Sequence, residues 1–393
     1  MGKIKVAYFD NHPNQYRAPL LRLLAQQKNI DLKVFYYDNF GVQLKLDKDF
    51  GYKYLFDIDV TGGYKYKILN NFNLRFLSGI LIFNPYLFNV LKKLKQEKTK
   101  VIIFHSYFYP SSFVLRFFKF SHHIPLVFYD ESTNLKKRTG FKNWLRKKYL
   151  KWFYHGMDAI LLPGKANFEH EKSLGVPKKK LFIANYTVDV NRFRQTCRRL
   201  NKRRNKKILG FNQKKLIIFS GKYIKRKGII YLLQAFKNLV RKDNNLGLVL
   251  IGDGPEKKIY QQFISDNKIK NKVYLTGFIN QKELPKYYKV GDIFVLPSLE
   301  ENYGLVINEA MACGLPIITT KNVGASYDLV ESGRNGFVIK PADSFELQKA
   351  LKKILIQPKT YAKESAKVIK QWTYKQTIKS IIKALDFVRD KQQ

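Results

Sequence analysis

Short runs of apolar residues alternate along the chain with segments of helical periodicity. Residues 4–9, 32–36 and 101–104 are short and apolar enough for buried strands, whereas residues 18–27 and 85–96 repeat their apolar positions at helical spacing. Strands that alternate with helices predict a mainly parallel sheet with helices on both faces. The pattern therefore places the chain in the α/β class.

The alternation stops after Asp189 and starts again at Leu216. The stretch between them is polar and basic, which favours a connection between domains. A length of 393 residues also fits two domains. We expect an N-terminal domain, a C-terminal domain and a last helix that packs back on the first domain, over residues 1–200, 201–370 and 371–393.

The formal net charge of +43 favours contact with polyanions such as anionic lipid heads, phosphodiester chains or nucleic acid. Two cysteines, Cys197 and Cys313, are too few for a disulfide framework or a metal cluster and favour a reducing compartment. The first residues lack the pattern of a signal peptide, and the longest apolar stretch is too short to span a bilayer. We expect a cytoplasmic protein, with a peripheral position at the inner face of the membrane as a further candidate.

The segment Pro297–Thr320 places Glu301 and Glu309 seven intervening residues apart, around a turn that opens a short apolar helix. Gly314 and Pro316 follow in the order expected at a helix C-terminus. A strand–turn–helix–strand unit directs the helix N-terminus to the carboxyl edge of a parallel sheet, where anionic ligands bind. A carboxylate in an apolar helix needs hydrogen-bond donors, and the hydroxyls of a sugar are one candidate.

Two glycine-containing turns precede this segment. Gly221–Gly228 concentrates cations between a strand and a helix, so that Lys222 and Lys227 could face a diphosphate. A solvated basic turn is the alternative interpretation. Gly252–Pro255 is a weak indication of a nucleotide loop, because the third glycine of a dinucleotide fingerprint is absent and a plain turn fits as well.

Taken together, these segments resemble the C-terminal domain of family-4 glycosyltransferases of the GT-B fold, also described as glycosyl transferases group 1. The most specific part is the pair of glutamates followed by Ala-Met-Ala-Cys-Gly-Leu-Pro at residues 310–316. Three N-terminal segments are similar to a subgroup of that family: Pro13–Leu20, Asp49-Phe50-Gly51 with Gly63-Tyr64, and Phe182–Asp189. The resemblance implies two Rossmann-like doubly wound domains that face each other across a cleft.

The resemblance also implies the activity of a retaining hexosyltransferase that uses a nucleotide-sugar. Lys222 and Lys227 would bind the diphosphate, together with the backbone amides of Gly304, Leu305 and Val306. Lys222 stands where the family often has arginine, so the charge is kept but bidentate contact is lost.

In the same resemblance, Glu309 would accept hydrogen bonds from the ribose and Glu301 would contact the transferred sugar near the reacting centre. Either glutamate could instead cap or pair locally. The loop Val323–Asp328 departs from the family pattern at Ala325 and Asp328, where a glycine and a glutamate are common. The resemblance therefore gives weaker support for contact of this loop with the donor.

His105 closes an N-terminal strand, about where the resemblance implies a histidine near the sugar, and a structural hydrogen-bonding role is an equal alternative. Other polar residues end neighbouring strands and are candidates for the acceptor side: His12, Asn14, Gln15, Asp130 and Glu131. The acceptor is expected to be a glycan or a lipid-linked molecule in surface polysaccharide or glycolipid assembly.

No Asp-x-Asp pair lies at a suitable strand end and no His/Cys cluster exists, so we expect no metal and no cofactor, the nucleotide-sugar being a substrate. An epimerase acting on nucleotide-sugars and a polyanion-binding protein without enzymatic activity are the alternatives. Nucleic acid is not expected as a partner, because the basic residues do not interleave with a recognised nucleic-acid module.

The segment Phe141–Phe153 is basic and aromatic. Phe141, Leu145, Tyr149 and Trp152 fall on one stripe of a helix, which predicts either a core-packed helix with a solvated basic face or a surface that docks on anionic lipid.

Overall fold

The computed structural model describes residues 2–47, 52–69, 72–76, 79–83, 87–106, 110–135 and 139–391. The chain divides into two compact units, the first formed by Met1–Lys45, Tyr54–Asn185 and Tyr374–Gln393 and the second by Leu46–Lys53 and Tyr186–Thr373. The predicted segment Asp49-Phe50-Gly51 and the first residues of the helix expected from residue 85 lie outside the described residues.

The first unit is built on a parallel sheet of seven strands. These are β1 (Ile4–Asp10), β2 (Ile30–Tyr36), β5 (Lys65–Ile68), β8 (Val101–His105), β9 (Leu126–Tyr129), β10 (Ala159–Leu162) and β11 (Leu181–Ile183). Two ladders lie between β2 and the next helix in sequence: β3 (Lys45–Asp47) with β4 (Tyr52–Tyr54), and β6 (Phe72–Phe76) with β7 (Gly79–Phe83).

The strand order of this sheet is β11-β10-β9-β8-β1-β2-β5. After β1 the chain adds β2 and β5 on one side of this strand, and it then adds β8, β9, β10 and β11 on the other side. The direction in which strands are added therefore reverses between β1 and β8. Open α/β sheets bind ligands at the carboxyl ends of the strands at such a switch point. In this unit those ends carry Asp10 and His105.

The helices of the first unit are α1 (Arg17–Ala25), α2 (Leu87–Gln96), α3 (Pro110–His122), α4 (Phe141–His155), α5 (Lys165–Ser173) and α15 (Tyr374–Asp390). The last of them is the helix expected over residues 371–393. It packs against α1, β10 and β11, the Tyr374 hydroxyl donates to the carbonyl of Tyr16 at 2.8 Å, and Thr377 donates to the carbonyl of Asn185 at 2.7 Å. The buried residues of α15 recur at helical spacing, which explains why this helix forms here.

The second unit is a parallel sheet of six strands in the order β14-β13-β12-β15-β16-β17. They are β12 (Lys215–Ser220), β13 (Leu246–Ile251), β14 (Val273–Leu275), β15 (Ile293–Leu296), β16 (Ile317–Thr320) and β17 (Gly336–Ile339). The order reverses between β12 and β15, which is the doubly wound topology of nucleotide-binding domains.

The helices of the second unit pack on this sheet or on one another. They are α6 (Val190–Arg199), α7 (Lys202–Ile208), α8 (Ile229–Val240), α9 (Lys257–Asp266), α10 (Leu284–Val290), α11 (Val306–Ala312), α12 (Ser326–Leu329), α13 (Ser344–Ile356) and α14 (Pro358–Ile369). In the part of the chain that is described, no helix combines the length and the apolar character needed to cross a bilayer.

The basic stretch that we interpreted as an interdomain connection instead forms α6 and α7. The side chain of Asp189 accepts a hydrogen bond from the Arg192 amide at 2.9 Å and caps α6. Val190, Phe193 and Cys197 are buried along one face of α6. The many basic residues made this amphipathic pattern difficult to recognise in the sequence. The division between the units falls after Asn185 rather than at residue 200.

Candidate functional site

Two loops leave the switch point of the second sheet, one after β12 and one after β15. Gly228 lets them pass closely, because its φ is 66° and a Cβ there would lie 2.2 Å from the carbonyl oxygen of Pro297. The amide of Leu299 donates to the carbonyl of Arg226 at 2.7 Å and ties the loops together. The two segments singled out in the sequence, 221–228 and 297–304, are therefore neighbours.

The closest contact between these loops joins Lys227 and Glu301. The Lys227 ammonium donates to Oε2 of Glu301, and the Arg226 guanidinium lies 3.3 Å from the same oxygen. The Lys227 and Glu301 side chains are only 11% and 16% exposed. Two cations thus face one carboxylate, and the positive charge in excess makes this cluster suited to an anion. Lys222 lies on the same segment and is partly exposed.

The backbone around Glu301 is held by the loop after β16. The Glu301 amide donates to the carbonyl of Asn322 at 3.0 Å, and the Gly324 amide donates to the carbonyl of Glu301 at 3.1 Å. A Cβ at Gly324 would lie 2.1 Å from the carbonyl oxygen of Asn302. The loop that departs from the family pattern at Ala325 and Asp328 therefore has a structural role, because it fixes the backbone that carries Glu301.

Gly304, with φ of 100°, makes the turn that opens α11. Leu305 and Val306 follow it and are partly exposed. Their predicted contact with phosphate stays a prediction.

The carboxylate of Glu309 is fully buried. Its Oε1 accepts a hydrogen bond from the side-chain amide nitrogen of Gln281 at 3.0 Å, and its Oε2 accepts one from the Tyr288 hydroxyl at 2.8 Å. Because Glu309 is fully buried, a ligand hydroxyl can reach its carboxylate only if surrounding residues move. The ribose contact of Glu309 stays a prediction, and the contacts seen here favour a positioning role.

A further layer holds Gln281 in place. The guanidinium of Arg192, on α6, donates to the side-chain oxygen of Gln281 at 2.7 Å and to its backbone carbonyl at 3.0 Å. Three helices, α6, α10 and α11, thus meet around one buried carboxylate. We did not predict Arg192, Gln281 or Tyr288 from the sequence, because these contacts link residues far apart in the chain.

In the first unit, His105 lies at the switch point and is 4% exposed. Its Nδ1 lies 3.2 Å from the guanidinium of Arg17, and its Nε2 lies 2.6 Å from the Tyr8 hydroxyl. A guanidinium only donates, so Nδ1 must accept and Nε2 must carry the hydrogen, which it donates to Tyr8. Burial, and after it the charge of Arg17, hold the pKa of His105 well below its ordinary value.

Arg17 connects the polar residues of this switch point. Its Nε lies 2.7 Å from Oδ2 of the buried Asp10, and its Nη1 donates to Oε1 of Glu131 at 3.0 Å. Burial raises the pKa of Asp10, and Arg17 opposes that shift. The side chain of Glu131 is 44% exposed. Arg17 and Asp10 were not predicted, although Arg17 lies within the segment that carries the family resemblance.

The other acceptor-side candidates have local roles in the structure. Asn14 accepts hydrogen bonds from the amides of Tyr16 and Arg17 at the start of α1, and His12 donates to the carbonyl of Pro13 at 2.8 Å. Gln15 is partly exposed. Asp130 is buried and accepts from the Tyr154 hydroxyl at 2.9 Å, so its carboxylate faces the interior rather than a ligand.

Among the residues that the structure describes, no group of three or more His, Cys, Asp or Glu side chains could hold a metal ion. The expectation of metal-independent chemistry stays a prediction.

Comparison with protein-family models gives two matches in adjoining parts of the chain. A model described as Glycosyltransferase Family 4 matches residues 49–192, and one described as Glycosyl transferases group 1 matches residues 201–375. The chain belongs to the family-4 glycosyltransferases of the GT-B fold. The predicted family and the two-domain α/β fold class are confirmed.

Curated relatives match part of the chain. Alpha-D-kanosaminyltransferase of Streptomyces kanamyceticus is 24% identical over 200 residues, 51% of this chain and 51% of that protein. Alpha-monoglucosyldiacylglycerol synthase of Acholeplasma laidlawii is 32% identical over 130 residues, 32% of this chain and 31% of that protein. The matched region therefore spans about half or less of these relatives.

Solved structures match almost the whole chain. The crystal structure of Anabaena HepE in complex with UDP has a TM-score of 0.75 and 17% sequence identity, and covers 98% of this chain and 100% of that one. The same protein in complex with UDP-glucose has a TM-score of 0.72. At this identity the likeness shows a shared fold.

The hydrogen bond from Tyr288 to Glu309 can be tested by Tyr288→Phe. We expect a loss of about 1–3 kcal/mol in the free energy of unfolding, measured by denaturant titration, because the buried carboxylate loses a donor. Tyr287→Phe, on the same helix but partly exposed, is the matched control and should change stability by less than about 0.5 kcal/mol. Equal effects of the two changes would contradict the assignment.

The buried neutral His105 predicts a pH-dependent contribution to stability. Burial lowers the pKa of His105 in the folded protein, so the unfolded chain binds a proton more readily than the folded protein does. The contribution of neutral His105 to the free energy of unfolding is therefore complete above the unfolded pKa of about 6.5. As pH falls below that value, the advantage of the native protein over His105→Gln should shrink by about 1.4 kcal/mol per pH unit. Denaturant titrations between about pH 4.5 and 8 measure this, with exposed His155→Gln as the control; parallel curves for native protein and His105→Gln would contradict it.

Proposed function

We propose that this protein is a retaining glycosyltransferase that moves a sugar from a nucleotide-sugar to a glycan or a lipid-linked acceptor. The observation that carries the proposal is the cluster of Lys227, Arg226 and Glu301 at the switch point of the second sheet. Membership of the glycosyltransferase family supports the reaction class. The structural neighbour HepE, which has been crystallised with UDP and with UDP-glucose, supports a nucleotide-sugar as donor.

The cluster is suited to bind and activate a sugar diphosphate. In the structure Glu301 neutralises part of the charge of Lys227 and Arg226. A diphosphate would compete for both cations, and they would stabilise the negative charge that grows on it as the glycosidic bond breaks. Lys227 and Arg226 would thus stabilise the diphosphate in place of a divalent metal. Lys222 would supply a further cation on the same segment.

Once its cations turn to the diphosphate, the carboxylate of Glu301 is available to the sugar. A carboxylate near the anomeric carbon accepts hydrogen bonds from sugar hydroxyls and stabilises an oxocarbenium-like transition state. In a retaining reaction on the leaving-group face, an oxygen of the diphosphate takes the proton of the acceptor hydroxyl. Glu309 keeps the helix behind Glu301 in place through Gln281 and Tyr288.

For the acceptor side, we propose Arg17 and Glu131 rather than His105. Both nitrogens of His105 are engaged, so His105 cannot take a proton unless it gives up its contact with Arg17. Glu131 is half exposed and held by Arg17, which leaves its carboxylate able to accept a hydrogen bond from an acceptor hydroxyl. His105 then acts as a positioning residue for Arg17.

The donor proposal is tested with a panel of UDP-, GDP- and ADP-sugars. We expect one nucleotide to raise the melting temperature in proportion to the logarithm of its concentration, and nucleotide release to require that donor. Lys227→Ala should lower kcat by about 10²–10³, because the leaving diphosphate loses a cation. Lys225→Ala, an exposed lysine on the same segment, should change kcat by less than about twofold.

Two outcomes would overturn this proposal. If no nucleotide-sugar binds and nucleic acid binds at moderate salt, the protein is a polyanion-binding protein. If the donor sugar is converted to its epimer without transfer to any acceptor, the protein is an epimerase on the same fold.

The basic and aromatic helix α4 supports a membrane-associated acceptor. Its buried residues are Leu150, Phe153 and Tyr154. Of the predicted stripe, Tyr149 packs against the core, whereas Phe141, Leu145 and Trp152 are exposed. Phe141 and Trp144 are 70% and 48% exposed. Together with Leu145 and Trp152 of the same helix, they form what we term the aromatic surface.

The aromatic surface is interleaved with basic side chains. Lys142, Lys147, Lys148 and Lys151 are all exposed on the same helix, and the ammonium of Lys148 lies 3.9 Å from the ring centroid of Trp144. Aromatic side chains anchor at the headgroup level of a bilayer, and lysines are attracted to anionic lipid. We therefore propose that this surface docks on an anionic membrane, where a lipid-linked acceptor resides.

Flotation with lipid vesicles tests the docking proposal. We expect binding to vesicles with about 30% anionic lipid, little binding to neutral vesicles, and weaker binding at high salt. Replacing Lys147 and Lys148 by glutamate should weaken binding more than tenfold, since each basic residue near the surface contributes about 1 kcal/mol. The matched control replaces exposed Lys352 and Lys359 of the second unit; an equal loss in the control would point to non-specific attraction by net charge.

A further inference from the structure

The two cysteines of the chain meet in the second unit. Cys197 lies on α6 and Cys313 directly follows α11, and these two helices pack against each other. The two sulfur atoms are 2.8 Å apart although the residues are 116 positions apart in sequence. A chain of 393 residues with only two cysteines thus brings both into one contact.

The surroundings of the two thiols differ. Cys197 is 5% exposed and its thiol also lies 3.5 Å from the carbonyl oxygen of Pro285. Cys313 is partly exposed. Cys313 is the more exposed residue of the pair, so we take it as the site that an oxidant attacks first, with the Cys197 sulfur adjacent to it.

Alternative roles for this pair are poorly supported. A metal ion bound by thiolates needs further ligands, and no group of three metal-binding side chains occurs among the described residues. The sulfurs need to approach by less than about 1 Å to reach the length of a disulfide, about 2.0 Å. A disulfide is thus the modification that this contact allows with little movement.

We propose that Cys197 and Cys313 form a reversible disulfide that links α6 to α11. This inference goes beyond the proposed function and does not depend on it, because its measurements need no substrate. In the reducing compartment that we expect, the two cysteines would be free thiols at rest. The disulfide would form when conditions become oxidising.

The chemistry balances with a low-molecular-weight disulfide such as oxidised glutathione as the oxidant. The thiolate of Cys313 attacks one sulfur of the oxidant, forming a mixed disulfide and releasing one reduced thiol. The thiolate of Cys197 then attacks the Cys313 sulfur of the mixed disulfide and releases the second reduced thiol. The two protein thiols lose two hydrogen atoms in total, and the two released thiols gain them.

The bond would join the two helices that hold the buried carboxylate. Helix α6 carries Arg192, which orients Gln281, and α11 carries Glu309, which accepts from Gln281. The disulfide would close a loop from residue 197 to residue 313 and so restrict the unfolded chain. We expect oxidation to stabilise the second unit and to restrict relative movement of α6 and α11.

The experiment treats the full-length protein with oxidised glutathione, alkylates free thiols under denaturing conditions and maps the peptides by mass spectrometry. We expect an intramolecular peptide pair that contains Cys197 and Cys313, and a melting temperature higher by roughly 5 °C or more than that of the reduced protein. Dithiothreitol should reverse both changes. Burial raises the pKa of the Cys313 thiol, so the reaction should accelerate as pH rises from about 7 to about 9.

Single replacements Cys197→Ser and Cys313→Ser are the matched controls, and each should abolish the rise in melting temperature on oxidation. If a serine variant does not fold, peptide mapping of the native chain still decides the question. Complete alkylation of both cysteines after oxidation, stable mixed disulfides without ring closure, or disulfides between two chains would each overturn the proposal.

Discussion

A carboxylate buried among apolar side chains must be supplied with hydrogen-bond donors, and Glu309 imposes this requirement on the second unit. Its two oxygens are met by Gln281 and Tyr288, and Gln281 is in turn oriented by Arg192. Because Tyr288 lies on α10, Gln281 on the loop before it and Arg192 on α6, this network links all three segments to α11. Removal of one partner from such a buried network costs more than the hydrogen bond itself is worth.

Both units place their polar chemistry where the strand order of the sheet reverses. In the second unit that point carries an excess of positive charge around Glu301. In the first unit Arg17 is balanced by Asp10 and Glu131 beside a neutral His105. The same backbone geometry therefore presents two different electrostatic environments, one suited to an anion and one suited to hydroxyl groups.

Much of the fold was predictable from the sequence, because strands such as β12 and β15 are buried runs of apolar residues bounded by glycine, proline or charge. The amphipathic character of α6 was not, since its exposed face is polar and basic and resembles a linker in composition. At the candidate site, the approach of Lys227 to Glu301 follows from the adjacency of β12 and β15. The engagement of His105 by Arg17 was not predicted, because no motif assigned a role to Arg17, which reaches His105 only through the pairing of β1 with β8.

The first unit is discontinuous in sequence: its sheet is complete by β11, but α15, which packs on β10 and β11, comes from the end of the chain. During synthesis the apolar surface under α15, including Phe182 against Phe387, stays uncovered until the second unit has been made. The second unit consists of Tyr186–Thr373 with the short segment Leu46–Lys53, so all of it is synthesised before α15. The second unit is therefore synthesised completely before the N-terminal unit, which is complete only when α15 has been made.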